Sequence, residues 1–185
     1  IGMPNAHFKD INDYRDVESL NYYEILLKEG KTKEEAIKTL QERSRDNSRT
    51  PMQWSDEKNA GFSDVIPWIS LPDHYKEINV ENELRDEDSI YYFYKKLIEL
   101  RKEKEVIQEG TIEFFEKDDD DLLAYERNYK EEHLVVFNNL TEKEKEVEIP
   151  QLWTSYHKLI GNYDTENMKE NKVVLRPYET LVLEK

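Results

Sequence analysis

The chain of 185 residues contains no cysteine and only five glycines. Without cysteine it can form neither a disulfide framework nor a thiolate metal site, and because a reducing compartment is then permitted we expect a cytoplasmic protein. Nothing in it resembles a phosphate-binding loop. No apolar run approaches the roughly 20 residues that span a bilayer, and the start lacks a basic segment followed by an apolar core. Since the first residue is Ile1 rather than Met, we expect a piece of a longer protein.

Positive charge is also scarce. The 27 Lys and Arg residues stand against 42 Asp and Glu residues, for a formal net charge of −15. Binding to nucleic acid or to an anionic membrane requires a positive field that replaces condensed counterions. We therefore expect neither nucleic acid nor a membrane as a partner, and the composition favours neutral ligands or a locally basic pocket.

Residues that could bind a metal are poorly arranged. The four histidines lie far apart in the sequence, and the acidic run at residues 118–121 consists of four consecutive aspartates. Consecutive carboxylates cannot all point at one ion, and the run lacks the spaced ligands and the glycine of an EF-hand loop. We predict a solvated turn there, and we expect neither a metal site nor a cofactor.

Two helices are predicted near the start of the chain. Apolar residues recur at helical spacing over residues 16–28, and Gly30 ends this first helix. Thr32 with Glu35 three residues later forms a capping box, which predicts a second helix up to about Arg43. The short connection between them predicts an αα-hairpin.

Residues 44–72 show no periodicity and are interrupted by several prolines. Long irregular segments inside a compact unit are usually functional or disordered. This one contains the large aromatic residues Trp54, Phe62 and Trp68, which favour an ordered loop.

The rest of the chain reads as one helix followed by strands. Asp88 or Ser89 can cap a strong amphipathic helix that ends near residue 104. Beyond residue 106, seven short β-rich runs separated by turns predict an antiparallel sandwich. These runs are residues 111–115, 122–129, 134–138, 146–149, 157–160, 173–175 and 180–183.

The most informative segment is residues 44–54, SRDNSRTPMQW. Two arginines with Asp46 and Asn47 supply donors and acceptors that suit hydroxyl-rich or anionic ligands, and Trp54 offers a flat face for a sugar ring. From chemistry alone, an equally good interpretation is a buried ion-pair network that pins a long loop, with Trp54 as a core residue.

This segment resembles the hallmark loop of oligo-1,6-glucosidases and trehalose-6-phosphate hydrolases in the α-amylase superfamily, glycoside hydrolase family 13. The resemblance extends over essentially the whole chain, because further motifs follow in the order that the family shows. These motifs are residues 13–21, 59–62, 75–80, 94–101 and 175–179.

The resemblance implies an α+β fragment of a larger enzyme. Residues 1–105 would form the last segment of a TIM (β/α)8 barrel, namely the loop after strand eight, a helical hairpin and barrel helix eight. Residues 106–185 would form a C-terminal antiparallel β-sandwich domain. Barrel active sites are assembled from loops at the carboxyl ends of the strands, so the two short helices and the loop at residues 44–72 would rim the substrate pocket.

The resemblance also implies retaining hydrolysis of an α-glucosidic bond by two carboxylates about 5 Å apart. No segment here matches the family motifs that hold these carboxylates, so we assign no catalytic residue to this chain and expect it to be inactive alone. Arg45 resembles the family arginine that hydrogen-bonds sugar hydroxyls, and Glu18 resembles an acid at the pocket rim. The alternative for Arg45 is a structural ion pair, and for Glu18 it is a favourable interaction with a helix N-terminus.

Within this family, residues 44–49 look more like trehalose-6-phosphate hydrolases than oligo-1,6-glucosidases, so trehalose 6-phosphate is the preferred substrate and isomalto-oligosaccharides are the alternative. From a different class, the chain by itself could be a non-catalytic carbohydrate-binding or interaction module.

Without the remaining barrel, the apolar stripe of the helix before residue 104 lacks its cover. We therefore expect the isolated chain to self-associate, or to leave residues before about Ser89 poorly ordered.

Overall fold

The computed structural model describes residues 1–185, which divide into two compact units, Ile1–Lys95 and Lys96–Lys185. The first unit contains helices and irregular segments, and the second contains all eight β-strands. No helix has the length and apolar character needed to cross a membrane.

The first unit is organised around a helical hairpin of α1 (Val17–Lys28) and α2 (Lys33–Arg43). Asp16 caps α1 by accepting a hydrogen bond from the Ser19 N–H. Thr32 and Glu35 form the predicted capping box at the start of α2. Both predicted helices are therefore confirmed. The sequence could predict them because capping residues act within one helical turn.

The core of this unit lies where the hairpin packs against the start of the chain. Tyr23 and Leu26 of α1 and Ala36 and Leu40 of α2 are buried with four residues from outside the hairpin. Those four residues are Ala6, Phe8, Tyr14 and Ile69.

Residues 44–72 contain neither an α-helix nor a strand, as predicted, but two short 3-10 helices at Arg45–Ser48 and Lys58–Gly61. Trp54 and Trp68 are 51% and 68% exposed, so in this chain neither is a core residue. Backbone hydrogen bonds hold the segment instead, since the N–H groups of Trp54 and Ser55 both donate to the Ala60 carbonyl.

Two helices follow the loop. The short helix α3 (Val80–Arg85) was not predicted, because six residues carry too little periodicity to be recognised. The predicted long helix is α4 (Ile90–Glu103), and the Tyr92 N–H lies 3.5 Å from the Ser89 Oγ at its start. Much of its apolar stripe is exposed, including Ile90 and Tyr94, while Leu100 is buried. Further 3-10 helices lie at Ile11–Asp13, Asp73–Lys76 and Gln151–Ser155.

The second unit is the predicted antiparallel sandwich. A short helix, α5 (Glu105–Glu109), precedes a five-stranded sheet of order β1-β2-β3-β8-β5 and a three-stranded sheet of order β4-β7-β6. Every strand pair is antiparallel. The strands are β1 (Thr111–Phe115), β2 (Leu122–Tyr129), β3 (Glu132–Asn139), β4 (Lys145–Glu148), β5 (His157–Gly161), β6 (Met168–Lys169), β7 (Lys172–Leu175) and β8 (Thr180–Glu184).

All seven predicted strands are present, and only the two-residue β6 was missed. Alternate residues of the two sheets point inward, and their core includes Phe137, Trp153 and Leu175. The aspartate run lies in the turn between β1 and β2, as predicted, where Asp119 pairs with Lys145 at 2.6 Å.

Candidate substrate-contact site

The structure brings the two sequence-predicted site residues, Arg45 and Glu18, together. Glu18 lies in the first turn of α1, and Arg45 opens the 3-10 helix that follows α2. The Arg45 Nη2 donates a hydrogen bond to the Glu18 Oε2, which joins positions 27 residues apart. Their side chains remain 58% and 74% exposed, so the pair lies at the surface of the first unit.

The chain turns sharply at Ser44 to place Arg45. The Ser44 N–H donates to the Leu40 carbonyl and ends α2, while its Oγ accepts a hydrogen bond from the Asp46 N–H at 3.2 Å. Serine is suited to this double role because its short side chain hydrogen-bonds nearby backbone groups.

Two aspartates anchor the segments that carry the pair. Asp46 is 1% exposed, and its Oδ2 accepts hydrogen bonds from the backbone N–H groups of Arg15 and Asp16 at 2.6 and 2.7 Å. The Asp16 Oδ2 in turn accepts from the N–H and the Oγ–H of Ser19. Burial of Asp16 opposes its ionisation, but the hydrogen bonds from Ser19 and the charges of Arg45 and Arg49 hold the pKa of Asp16 below its usual value.

The arginines and carboxylates form a wider charge cluster. The Arg45 Nη2 lies 3.6 Å from the Asp16 Oδ1, and the Arg49 Nη1 lies 3.7 Å from the same oxygen and 3.9 Å from the Asp46 Oδ1. An ion-pair network is therefore present in this segment, but it is not the buried network of the alternative interpretation, because Arg45 and Arg49 are 58% and 49% exposed. It does not occupy Arg45 fully, because a guanidinium carries five N–H donors in a fixed fork.

A groove of about 820 Å³ runs along this site. Besides Arg45 and Glu18, its walls include Asn21, Tyr22 and Arg43. Asn21 ends the motif at residues 13–21, whereas Tyr22 and Arg43 lie outside every motif given above. Guanidinium and amide donors, a carboxylate acceptor and a partly exposed tyrosine ring are the groups that bind hydroxyl-rich ligands. No group of three His, Cys, Asp or Glu side chains in the chain is arranged to hold a metal ion.

Comparisons with known proteins identify the class of protein to which this site belongs. The family described as alpha amylase, catalytic domain, matches residues 1–110. The family described as the alpha-amylase SusG C-terminal domain matches residues 122–182. Because the first match covers more than half of the chain, the chain belongs to the alpha-amylase family.

Its relatives include oligo-1,6-glucosidases and trehalose-6-phosphate hydrolases. The oligo-1,6-glucosidase of Bacillus cereus is 42% identical over 185 residues, and the trehalose-6-phosphate hydrolase of Bacillus subtilis is 41% identical over 187 residues. Each match covers 98% of this chain and 33% of the relative. The crystal structure of Bacillus licheniformis trehalose-6-phosphate hydrolase superimposes with a TM-score of 0.92 at 47% identity, covering 99% of this chain and 34% of that one. The resemblance and the fold class inferred from the sequence are thus confirmed, and the chain spans about a third of the length of these relatives.

Proposed function

We propose that this chain is the C-terminal part of a retaining α-glucosidase that acts on small intracellular saccharides. The observation that carries the proposal is the Arg45–Glu18 pair, which lies exposed in a groove with both polar and apolar walls, in the part of the chain shared with the glucosidase relatives. Residues 1–105 form the end of the catalytic barrel, and residues 106–185 form the β-sandwich domain. The absence of cysteine is compatible with a cytoplasmic location.

In this proposal the chain binds and orients the sugar, and residues outside it break the bond. Retaining hydrolysis needs one carboxylate that attacks carbon and another that donates and then removes a proton. Arg45 donates hydrogen bonds to sugar hydroxyls from the N–H groups that do not face Glu18, and Glu18 accepts from hydroxyls at the rim of the pocket. The Arg45–Glu18 contact orders both side chains before substrate arrives, so less conformational entropy is lost on binding.

Trehalose 6-phosphate is the preferred substrate because residues 44–49 resemble the trehalose-6-phosphate hydrolases. The 47% identity to the Bacillus licheniformis hydrolase supports the same choice. Isomalto-oligosaccharides are the alternative, since the oligo-1,6-glucosidase of Bacillus cereus is as similar as the Bacillus subtilis hydrolase.

The test compares kcat/KM of the full-length enzyme for trehalose 6-phosphate and for isomaltose. We expect hydrolysis of trehalose 6-phosphate to glucose and glucose 6-phosphate with the higher kcat/KM. A higher kcat/KM for isomaltose would establish the alternative substrate, and turnover of neither would contradict the proposed glucosidase.

The isolated chain of 185 residues provides the second half of the test. We expect it to release no product from trehalose 6-phosphate, isomaltose or an aryl α-glucoside above background. Activity that co-purifies with the chain through several columns would show that it carries catalytic groups of its own. Calorimetric titration of the isolated chain with maltose and trehalose tests the binding-module alternative, for which saturable binding is required.

A further inference from the structure

Asp46 and three neighbouring residues form a closed ring of hydrogen bonds beneath the Arg45–Glu18 pair. The Asp46 N–H donates to the Ser44 Oγ, and the Ser44 Oγ lies 2.8 Å from the Ser19 Oγ. The Ser19 Oγ–H donates to the Asp16 Oδ2 at 2.9 Å. The Asp16 N–H donates to the Asp46 Oδ2 and closes the ring.

The direction of this ring follows from the chemistry of its groups. The ionised Asp16 carboxylate can only accept hydrogen bonds, so the single hydroxyl proton of Ser19 points toward it. In the Ser19–Ser44 pair the Ser44 hydroxyl is therefore the donor. Both serine hydroxyls then donate and accept within the ring, and these connected hydrogen bonds favour a single arrangement of the two segments. The buried Asp46 Oδ1 has no hydrogen-bond partner and faces only the Arg49 Nη1 at 3.9 Å.

The ring encloses the two site residues on both sides. Ser19 follows Glu18 and Asp16 lies two residues before it, while Ser44 and Asp46 flank Arg45 directly. The Ser19–Ser44 bond joins the two segments on one side, and the Asp46 bonds to Arg15 and Asp16 join them on the other. The four ring residues are buried or nearly so, whereas the tips of Arg45 and Glu18 are exposed.

Within this ring Asp46 is the residue on which the geometry depends most. At 1% exposure its carboxylate has lost its water and is compensated by two short N–H bonds and by Arg49. Truncation of a group in such a network leaves buried donors without a partner. The two N–H groups that Asp46 binds belong to the residues that lead into α1, so its loss frees the start of that helix.

We infer that Asp46 is a positioning residue that fixes the Arg45 guanidinium relative to Glu18 and thereby sets the strength of sugar binding. This inference rests on the proposed role of Arg45 as a substrate contact. A displacement of about 1 Å in a positioned group can reduce enzyme activity by about 100-fold, so a residue that never touches the sugar can still have a large effect.

The experiment is a double-mutant cycle in the full-length enzyme, with kcat and KM measured separately for trehalose 6-phosphate and for an aryl α-glucoside. The variants are Asp46→Asn, Arg45→Ala and the double variant. Asparagine keeps the size of the side chain and one acceptor oxygen but removes the charge that faces Arg49.

We expect Asp46→Asn to lower kcat/KM by about 10- to 100-fold in the wild-type background, mainly through KM. In the Arg45→Ala background the same change is expected to have less than about a twofold effect, because the group that Asp46 positions is gone. Glu179→Gln is the matched control: Glu179 is a carboxylate of 2% exposure that pairs with Arg176 in the sandwich, so its loss should lower stability and leave KM unchanged.

Two results would overturn the inference. Equal effects of Asp46→Asn in both backgrounds would show that Asp46 supports the fold alone. No effect of Asp46→Asn in folded enzyme would show that it has no role. If Arg45→Ala itself leaves kcat/KM unchanged, the proposed role of Arg45 fails first, and the two failures are thereby distinguished.

If circular dichroism shows that Asp46→Asn does not fold, Ser44→Ala enters the same cycle. This variant breaks the ring at the hydroxyl that bridges Asp46 and Ser19, without leaving a buried charge. A KM increase of about three- to tenfold that disappears in the Arg45→Ala background supports the inference. A KM increase that persists there, or no increase at all, overturns it.

Discussion

The Nδ1 of His133 lies 2.6 Å from the Oη of Tyr156, and the Nε2 of the same ring lies 2.7 Å from the Oε2 of Glu126. Burial of Tyr156, together with the charge of Glu126, raises the pKa of the tyrosine hydroxyl. Because the Glu126 carboxylate accepts hydrogen bonds, the Nε2–H donates to it, and Nδ1 shares the second hydrogen bond with the Tyr156 hydroxyl. This chain of hydrogen bonds lies at the sandwich core, where the His133 and Trp153 rings also pack 5.9 Å apart.

Replacing His133 with phenylalanine keeps the aromatic packing but leaves Tyr156 and Glu126 without this partner. We expect His133→Phe to lower the free energy of unfolding by about 1–3 kcal/mol, the cost of buried polar groups left unpaired. Urea denaturation, followed by circular dichroism, measures this loss of unfolding free energy. His157→Phe is the control, because His157 is 67% exposed and 3.6 Å from Glu184, and it should change stability little.

The capping box of α2 gives a second prediction. The Thr32 N–H donates to the Glu35 Oε2 at 2.8 Å, and the Glu35 N–H donates to the Thr32 Oγ1 at 3.2 Å. Thr32→Ala should lower stability by about 1 kcal/mol in urea denaturation. Thr39→Ala, in the interior of the same helix, should be neutral or slightly stabilising because alanine has the higher helix propensity. Equal losses in both variants would mean that the cap does not stabilise the helix.

Tyr14 makes stability depend on pH in the alkaline range. Burial, followed by the charges of Asp13 and Asp46, raises its pKa to about 12, compared with about 10 in an unfolded chain. Between these values the folded chain holds the proton and the unfolded chain has lost it, so stability decreases as pH rises. We expect this residue to contribute a loss of about 1.4 kcal/mol per pH unit above pH 10.

Comparison with Tyr14→Phe isolates this contribution from that of the lysines. The Tyr14 hydroxyl is buried without a hydrogen-bond partner in the protein, so the variant should be at least as stable at pH 7. Above pH 10 the difference in unfolding free energy between the variant and the wild type should widen. Parallel curves for the two proteins from pH 8 to 11.5 would contradict the raised pKa.

Self-association of the isolated chain is the fourth prediction. Ile90, Tyr94 and Ile98 share one face of α4 and are 45–64% exposed. Light scattering coupled to gel filtration should show a molecular mass that rises with protein concentration. Ile98→Lys should reduce this rise in mass. Leu152→Lys, a change at a 63% exposed residue of the second unit, should not. A strict monomer with slow amide exchange across residues 16–68 would contradict both this and the predicted disorder before Ser89.

Arg45→Lys in the full-length enzyme is the fifth prediction. A lysine ammonium is a point charge that cannot reproduce the two-pronged hydrogen bonding of a guanidinium. We expect kcat/KM for the preferred disaccharide to fall by about tenfold or more. Arg85→Lys, which alters an exposed arginine paired with Glu81, should leave the kinetics unchanged. Unchanged kinetics for Arg45→Lys would make Arg45 a structural residue.

The sequence by itself determined the order and type of the main elements. Helices α1, α2 and α4 and seven strands were predicted because capping residues, periodicity and turns act over a few neighbouring residues. The elements that were missed, α3, α5 and β6, span only two to six residues each and leave no periodic signal. The motif at residues 44–54 also indicated the family, and through the family it indicated Arg45 and Glu18 as site residues.

Only the tertiary structure decided how these site residues are held. The Ser19–Ser44 bond spans 25 residues and the Asp46–Asp16 bond spans 30. Contacts at such separations depend on how the hairpin packs, and no local pattern encodes that packing. The sequence pattern likewise marked the apolar stripe of α4 but not its exposure, because burial depends on what lies against the helix rather than on the helix itself.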